Sequence, residues 1–449
     1  MTPDRRPHVL SITCHDLGRH LGCYGAVTVH SPRLDQLAAE GARFDNAFCA
    51  APQCSPSRAA LATGRHPHSN GVMGLTHGGF AWDLGPDERP VATILASQGY
   101  TTHLFGLQHI SPHAERLGFE YVHATGAGDG GATHSATAEV VADAFEEVVP
   151  PAVRGASGPL YLEVNFFEPH RPYGYGGVEP DRSGGVLVPP YLPQIPEATD
   201  EMAALQGAIR KVDREVGRTL EVLDRVGIAE QTLVVFSADH GLAMPRAKCT
   251  LYDPGIGIAL LVRWPAGGVR PGTTVGGLAG NVDVLPAVLE AAGAAVPAEV
   301  QGRSLLPAAR GVAEDERAEI FAEKTYHSYY DPMRCIRTGR YKLIRNFESA
   351  FAVEVPGDVQ QGAIFRADPG AYATDRRCVV ELYDLERDPL EQRNLAGQPG
   401  LAEVESDLDR RLWRWMEETG DPLLSGPIPS PVYHLSRRLW HTRGLRSAR

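Results

Sequence analysis

The ten residues TLVVFSADHG, Thr232–Gly241, decide how the rest of the chain is read. Thr232–Phe236 is an apolar, β-branched run without polar alternation, the pattern of a strand buried on both faces of a parallel sheet. A long amphipathic segment, Glu201–Val226, precedes it. Its apolar positions Leu205, Ile209, Val212, Val216, Leu220 and Leu223 step by three or four, and Gly227 stops it. Similar strand-like runs occur at His8–Thr13, Thr101–Phe105, Leu160–Phe167 and Ile258–Val262, with helical stretches at Ser31–Gly41 and Thr93–Gly99. Strands alternating with helices at this spacing predict an α/β fold, a largely parallel sheet covered on both faces. Beyond Gln301–Ser304 the texture changes. Tyr341–Arg345 and Val379–Tyr383 read as antiparallel strands, and Leu401–Glu418 as a helix rich in Trp and Arg. We therefore expect a large α/β domain over residues 1–310 and a smaller α+β domain over 311–449.

Composition narrows the function. The chain has 449 residues, 43% of them apolar, enough for a sizeable core. Its net charge of −12 argues against a nucleic-acid partner, and the arginine-rich end, Arg437–Arg449, reads as a solvated tail. Seven cysteines, an odd number without a CxxC pair, argue against a disulfide framework. The N-terminal stretch lacks a signal peptide's apolar region, and no long apolar segment occurs later. The expectation is a soluble, cytoplasmic protein with no membrane partner.

Ligands of open α/β sheets bind beyond the carboxyl ends of the strands, and four predicted strands deliver polar residues there. Cys14-His15-Asp16 comes after the first, Gly106-Leu107-Gln108-His109 after the second, Glu168-Pro169-His170 after the third, and Asp239-His240-Gly241 after the quoted one. Asp16, Asp239 and His240, with His15 nearby, make a plausible metal constellation. Carboxylates suit hard divalent cations, and imidazole shifts the choice toward Mn, Fe or Zn.

A further segment, PQCSPSRAALATGR at Pro52–Arg65, presents a cysteine where a helix begins, with Ser55 as the expected N-cap, Pro56 at the first helical position and Gly64 past the end. A buried structural thiol fits poorly with the polar Ser-Pro-Ser-Arg next to it. A phosphatase-type thiolate loop would place its arginine six residues on, whereas Arg58 lies four residues past Cys54 and Pro56 removes an N–H.

The motif Cys-Ser-Pro-Ser-Arg followed by Thr-Gly-Arg resembles the signature of the sulfatase family, within the alkaline phosphatase superfamily. Leu21–Gly25, Ser31–Phe48, Ser237–Gly241, Val262–Gly267, Gly302–Pro307 and Glu381–Ala396 also look like sulfatase segments, in family order. The stretches EPHRPYG, Met244–Gly255 and Asp331–Arg334 are similar to the heparan sulfamidase subgroup. The resemblance implies a large mixed, mostly parallel sheet sandwiched by helices, with a C-terminal antiparallel sheet. It implies hydrolysis of a sulfate ester or sulfamate, on a small-molecule or saccharide substrate. Cys54 would be oxidised to formylglycine by a formylglycine-generating enzyme and would also ligate the metal. His15, Asp16, Asp239 and His240 would complete the cation site. Arg58 would hold the formylglycine hydrate, His109 would take a proton from it, and His170 and Lys248 would bind the sulfuryl group and help protonate the leaving group. The family's cation is Ca²⁺. Here His15 stands for a usual aspartate and His240 for a usual asparagine, which favours Mn²⁺ or another transition metal. Leu107 stands where the family has a sulfate-binding lysine, and Lys324 and Arg246 are candidates to replace its charge. The competing readings are a phosphonate monoester or phosphodiester hydrolase of the same superfamily and a catalytically silent relative.

Overall fold

The computed structural model describes residues 6–77, 80–125, 135–312, 317–348, 354–372 and 378–433. The arginine-rich tail lies outside them. The larger sheet contains β1 (His8–Cys14), β2 (Ala42–Phe48), β3 (Thr101–Gly106), β4 (Tyr121–His123), β5 (Leu160–Phe166), β6 (Thr232–Ala238), β7 (Leu260–Arg263) and β8 (Thr273–Gly280), in the order β4-β3-β5-β1-β6-β7-β2-β8. Strands β4, β3, β5, β1 and β6 run parallel, and β8 runs parallel to β2. Strand β7 is antiparallel to both β6 and β2. A parallel return needs a crossover of a dozen or more residues, usually a helix. Between β6 and β7 there is only the four-residue helix Asp253–Ile256, so the chain comes back antiparallel.

The register fixes where the strands end. Cys14 at the end of central β1 pairs with Phe166 of β5 and Ala238 of β6, and Gly106 of β3 pairs with Asn165 of β5. The chain therefore leaves all four strands at one level of one rim.

Helices α1 (Pro32–Glu40), α2 (Cys54–Thr63), α3 (Ala138–Gly155), α4 (Pro196–Arg225) and α5 (Val284–Ala292) contribute to the covering layers. α4 begins five residues before the expected Glu201, because Pro196 supplies its first turn and the polar run after it conceals the apolar period. The Ser31 side chain does not cap α1. It accepts from Gly22 N (2.9 Å), while buried Asp213 of α4 accepts from Arg33 N (3.0 Å) and Leu34 N (2.8 Å). The N-cap of α2 is Gln53, not Ser55, so Cys54 itself occupies the first helical position. Gly64 ends α2 as expected, at φ +65°.

The second sheet is antiparallel, in the order β12 (Val380–Asp384), β11 (Tyr341–Asn346), β10 (Tyr330–Thr338) and β9 (Glu319–Tyr326). Alternation along the strands divides its faces. Ile336 and Leu343 pack with Leu408, Leu412 and Trp415 of α6 (Ala402–Glu418). Their neighbours Cys335 and Ile344 join the core of the large sheet. The small sheet is thus seated on the large one, which brings residues past 320 within reach of the rim.

One strand-end acid gives a pH prediction. Glu168 is buried, and its Oε2 accepts from Ala138 N at the start of α3 (2.8 Å). Burial raises its carboxyl from the usual 4.5 to about 7. The folded state then holds a proton that the unfolded chain gives up. This contribution to stability is complete below about pH 4.5 and is lost as pH rises through about 7. Glu168→Gln should equal the wild type near pH 4.5 and exceed it above pH 7 by up to about 3 kcal/mol. Urea unfolding of both proteins across this range measures the difference, and a constant gap would contradict it.

Candidate active site

The rim residues converge on the first turn of α2. Asp239 organises the floor: its Oδ1 accepts from Asp16 N (2.9 Å) and His240 N (2.8 Å), and its Oδ2 accepts from Arg58 Nε (3.0 Å) and lies 3.1 Å from His15 Nδ1. Burial favours the neutral acid, but His240, His15 and the Arg58 guanidinium outweigh it and hold the Asp239 carboxyl well below its usual range. Arg58 is locked from its other end by Asn165 Oδ1 (2.9 Å). Helix α2 is tied to the same rim: Ser57 Oγ donates to the Asp239 carbonyl, and Asn281 Nδ2 donates to the Ser57 carbonyl (2.9 Å). Gly241 is required because a Cβ there would lie 1.9 Å from the Pro254 carbonyl oxygen.

The side chains of Asp16, Cys54, Asp239 and His240 fit a cation. The ligand atoms of Cys54, Asp239 and His240 lie within 4.8 Å of one another, as do those of His15, Asp16, Cys54 and His170. His240 Nδ1 faces the Gly241 carbonyl at 3.0 Å, which assigns the ring proton to Nδ1 and leaves a lone pair on Nε2. That lone pair lies 3.0 Å from Asp16 Oδ1, a fully buried oxygen with no hydrogen bond among the described residues. Two buried acceptors facing each other repel unless a cation or proton lies between them. Cys54 Sγ is 3.3 Å from the same Nε2.

The Cys54 thiol is buried, and burial pushes its pKa up. It is a poor thiolate at neutral pH, despite its place at a helix start. The cation-site reading and the thiolate reading therefore diverge here, and the geometry disfavours the second.

A cavity of about 370 Å³ opens over Cys54. Its polar wall includes His15, His77, His109, His170, Lys248, His327 and Asp358, and its apolar wall includes Leu75, Phe80, Leu107 and Phe167. Lys248 Nζ donates to Asp16 Oδ2 (3.2 Å) and Asp358 Oδ2 (2.8 Å) and lies 3.4 Å from His170 Nε2. Burial acts to lower the Lys248 pKa, but Asp16 and Asp358 outweigh it, so the ammonium is held charged. His109 sits in left-handed backbone (φ +54°), and its Nε2 is 2.7 Å from His77 Nδ1.

All the expected residues, His15, Asp16, Cys54, Arg58, His109, His170, Lys248, Asp239 and His240, meet at this one place. The two candidates for the missing lysine do not line the cavity. Lys324 is fully buried and paired with Asp331 (2.7 Å) and Glu354. Arg246 donates to the Glu391 carbonyl (3.1 Å) and lies over the Tyr252 ring. Sequence reading missed Asn165, Asn281, His77, His327 and Asp358. Asn165 had a usable signal, as a polar residue one position from the end of strand β5. Asp358 had none, because a short helix (Gly357–Gln360) in the connection between β11 and β12 carries it to the rim.

A cluster of residues that could hold a cation, a buried cysteine and a histidine–lysine wall meet at one rim, an arrangement suited to hydrolysis of anionic esters. The chain belongs to the sulfatase family, a family of sulfuric ester hydrolases: the family's profile, "Sulfatase", matches residues 7–294. A second profile, "N-sulphoglucosamine sulphohydrolase, C-terminal", matches residues 240–360. Among relatives, an ulvan-active sulfatase of Formosa agariphila is 30% identical over 92% of this chain and 80% of its own. Human N-sulphoglucosamine sulphohydrolase is 28% identical over 94% of this chain and 92% of its own. A 2-O GAG sulfatase shares the fold at a TM-score of 0.71 and 22% identity, over 95% of both chains. So does the phosphonate monoester hydrolase of Silicibacter pomeroyi, at a TM-score of 0.68 and 21% identity, over 94% of this chain and 97% of that one. The fold alone therefore does not separate sulfate from phosphonate chemistry. Among the described residues, no helix is long and apolar enough to cross a membrane.

Proposed function

We propose that the chain is a formylglycine- and divalent-metal-dependent hydrolase of a sulfate ester or sulfamate on a saccharide. The observation that carries this reading is the unbridged pair of buried acceptors, Asp16 Oδ1 and His240 Nε2, set beside Cys54. A formylglycine hydrate at position 54 with a divalent cation beside it would supply one hydroxyl acidified for attack on sulfur and a second on the same carbon for release. The ligands are His15, Asp16, Cys54, Asp239 and His240. With two imidazoles among them, the ion is Mn²⁺ or another transition metal in preference to Ca²⁺.

The remaining roles belong to side chains already charged or aimed. Arg58, fixed by Asp239 and Asn165, directs its guanidinium at position 54. Lys248 Nζ offers a positive charge to the sulfuryl oxygens, and His170 beside it delivers a proton to the leaving group. His109 accepts a proton from the position-54 side chain. The apolar wall of Leu75, Phe80 and Phe167 suits the C–H face of a sugar ring, and the cavity volume falls in the small-molecule range. Cys54 is 3% exposed, so its modifying enzyme must reach it before the chain folds.

A phosphonate or phosphodiester substrate is the second reading, and the Asp239–His240 pair together with Leu107 favours it. The test is mass spectrometry of the Cys54 peptide from protein co-expressed with a formylglycine-generating enzyme, followed by kcat/KM on an aryl sulfate and an aryl phosphonate monoester. Conversion with higher kcat/KM on the sulfate is expected. A higher value on the phosphonate transfers the assignment, and protein converted at Cys54 but inert toward both esters overturns it.

A further inference from the structure

Asp358 lies against the two side chains, Lys248 and His170, that the proposed function sets around the reacting group and its leaving oxygen, and the inference rests on that reading. Its Oδ2 accepts from Lys248 Nζ (2.8 Å) and is 3.8 Å from His170 Nε2. The side chain is 22% exposed and lines the cavity, and Oδ1 has no hydrogen bond among the described residues. One oxygen of the carboxylate is thus spent on the wall and the other is left for a ligand. Lys248 does not depend on Asp358 alone, because Asp16 Oδ2 also accepts from its Nζ (3.2 Å).

The short helix that carries Asp358 is anchored. Val359 is fully buried and packs with Ala243 and Val355, and Gln360 Nε2 donates to the Val355 carbonyl (2.8 Å). A carboxylate on a packed support cannot retreat from a like charge without breaking that packing. A leaving oxygen that takes its proton from His170 Nε2 brings the atoms next to it within reach of Asp358. The carboxylate therefore meets whatever the ring carries beside the reacting ester. An ionised carboxylate is an acceptor only. It accepts from a hydroxyl or N–H placed there, and it repels a second carboxylate or sulfate in a partly desolvated site, where like charges interact strongly.

We propose that Asp358 is a specificity-determining residue: it selects a substrate with a hydroxyl or other hydrogen-bond donor next to the reacting ester and rejects one with a second anionic group there. The substrate class is then a singly charged ester on a hydroxyl-bearing ring, in preference to a uronic acid or a ring sulfated at adjacent positions.

The test is calorimetric binding at neutral pH to the full-length protein before conversion at Cys54, so that no ligand is turned over. Three probes differ only beside the ester: phenyl sulfate, 2-hydroxyphenyl sulfate and 2-carboxyphenyl sulfate. In the wild type, the hydroxyl compound should bind at least about three-fold tighter than phenyl sulfate, and the carboxyl compound at least about ten-fold weaker. Asp358→Asn keeps an acceptor and loses the charge, so the hydroxyl preference should persist while the carboxylate penalty falls about ten-fold. Asp358→Ala should lose both. Equal wild-type affinity for phenyl sulfate and 2-carboxyphenyl sulfate, ratios unchanged in both variants, a uniform change for all three probes, or no binding of any probe would overturn the proposal. The wild-type ratios decide it even if neither variant folds. They do not depend on chemistry at position 54: a Cys54 that is never converted leaves them standing, and their failure leaves turnover of phenyl sulfate untouched.

Discussion

Cys54→Ser will lower steady-state turnover of the preferred ester by at least about 10⁴-fold while leaving the melting temperature unchanged. The side chain is nearly isosteric, and α2 is held by Ser57, Arg58 and Asn281 rather than by Cys54. Serine offers one hydroxyl where the proposed formylglycine mechanism needs two on the same carbon. It can attack sulfur and stop, so at most one equivalent of the alcohol product should appear per enzyme, followed by silence. Product release measured over minutes at high enzyme concentration distinguishes this from simple inactivity. Sustained multiple turnover by the serine variant would refute the formylglycine reading. The unconverted wild type should behave differently from both, since a buried thiol with a raised pKa is a weak nucleophile.

Asp239→Asn will both inactivate and destabilise the protein. The Asp239 carboxylate is the counter-charge of Arg58 and accepts two backbone N–H groups of the ligand turns, Asp16 N and His240 N. An asparagine can keep one acceptor oxygen toward those amides, but its NH₂ then faces the Arg58 guanidinium, donor against donor. Arg58, 3% exposed, would keep Asn165 and lose its charge partner. Removing one partner of a buried pair costs about 3–5 kcal/mol, which thermal unfolding will read directly. If Asp239 is a ligand of the proposed cation site, elemental analysis should find less than one bound transition-metal ion per chain in the variant, against an expected one in the wild type. The expected fall in kcat is at least about 10³-fold. A variant that retains metal and wild-type stability would remove Asp239 from the cation site.

The local alphabet of this chain carried a great deal. TLVVF reads as a buried strand, and it is one, because a run with apolar side chains on both faces has no face to offer water. The antiparallel pieces Tyr341–Arg345 and Val379–Tyr383 and the helix Leu401–Glu418 appear within a residue or two of the expected bounds. Cys54 to Arg58 and Asp239-His240 were legible because their chemistry is unusual at a strand end or helix start. Tertiary structure decided the rest. Burial raised the pKa of the Cys54 thiol, Asp213 of α4 caps the start of α1, and His77 was brought against His109. Lys324, counted from sequence as a spare cation, is consumed by Asp331 and Glu354. Asp358 reaches Lys248 across 110 residues of chain. Periodicity and motif report what each segment does with its own neighbours. Which distant charge neutralises which is fixed only when the sheet register and the seating of the small sheet set the distances between them.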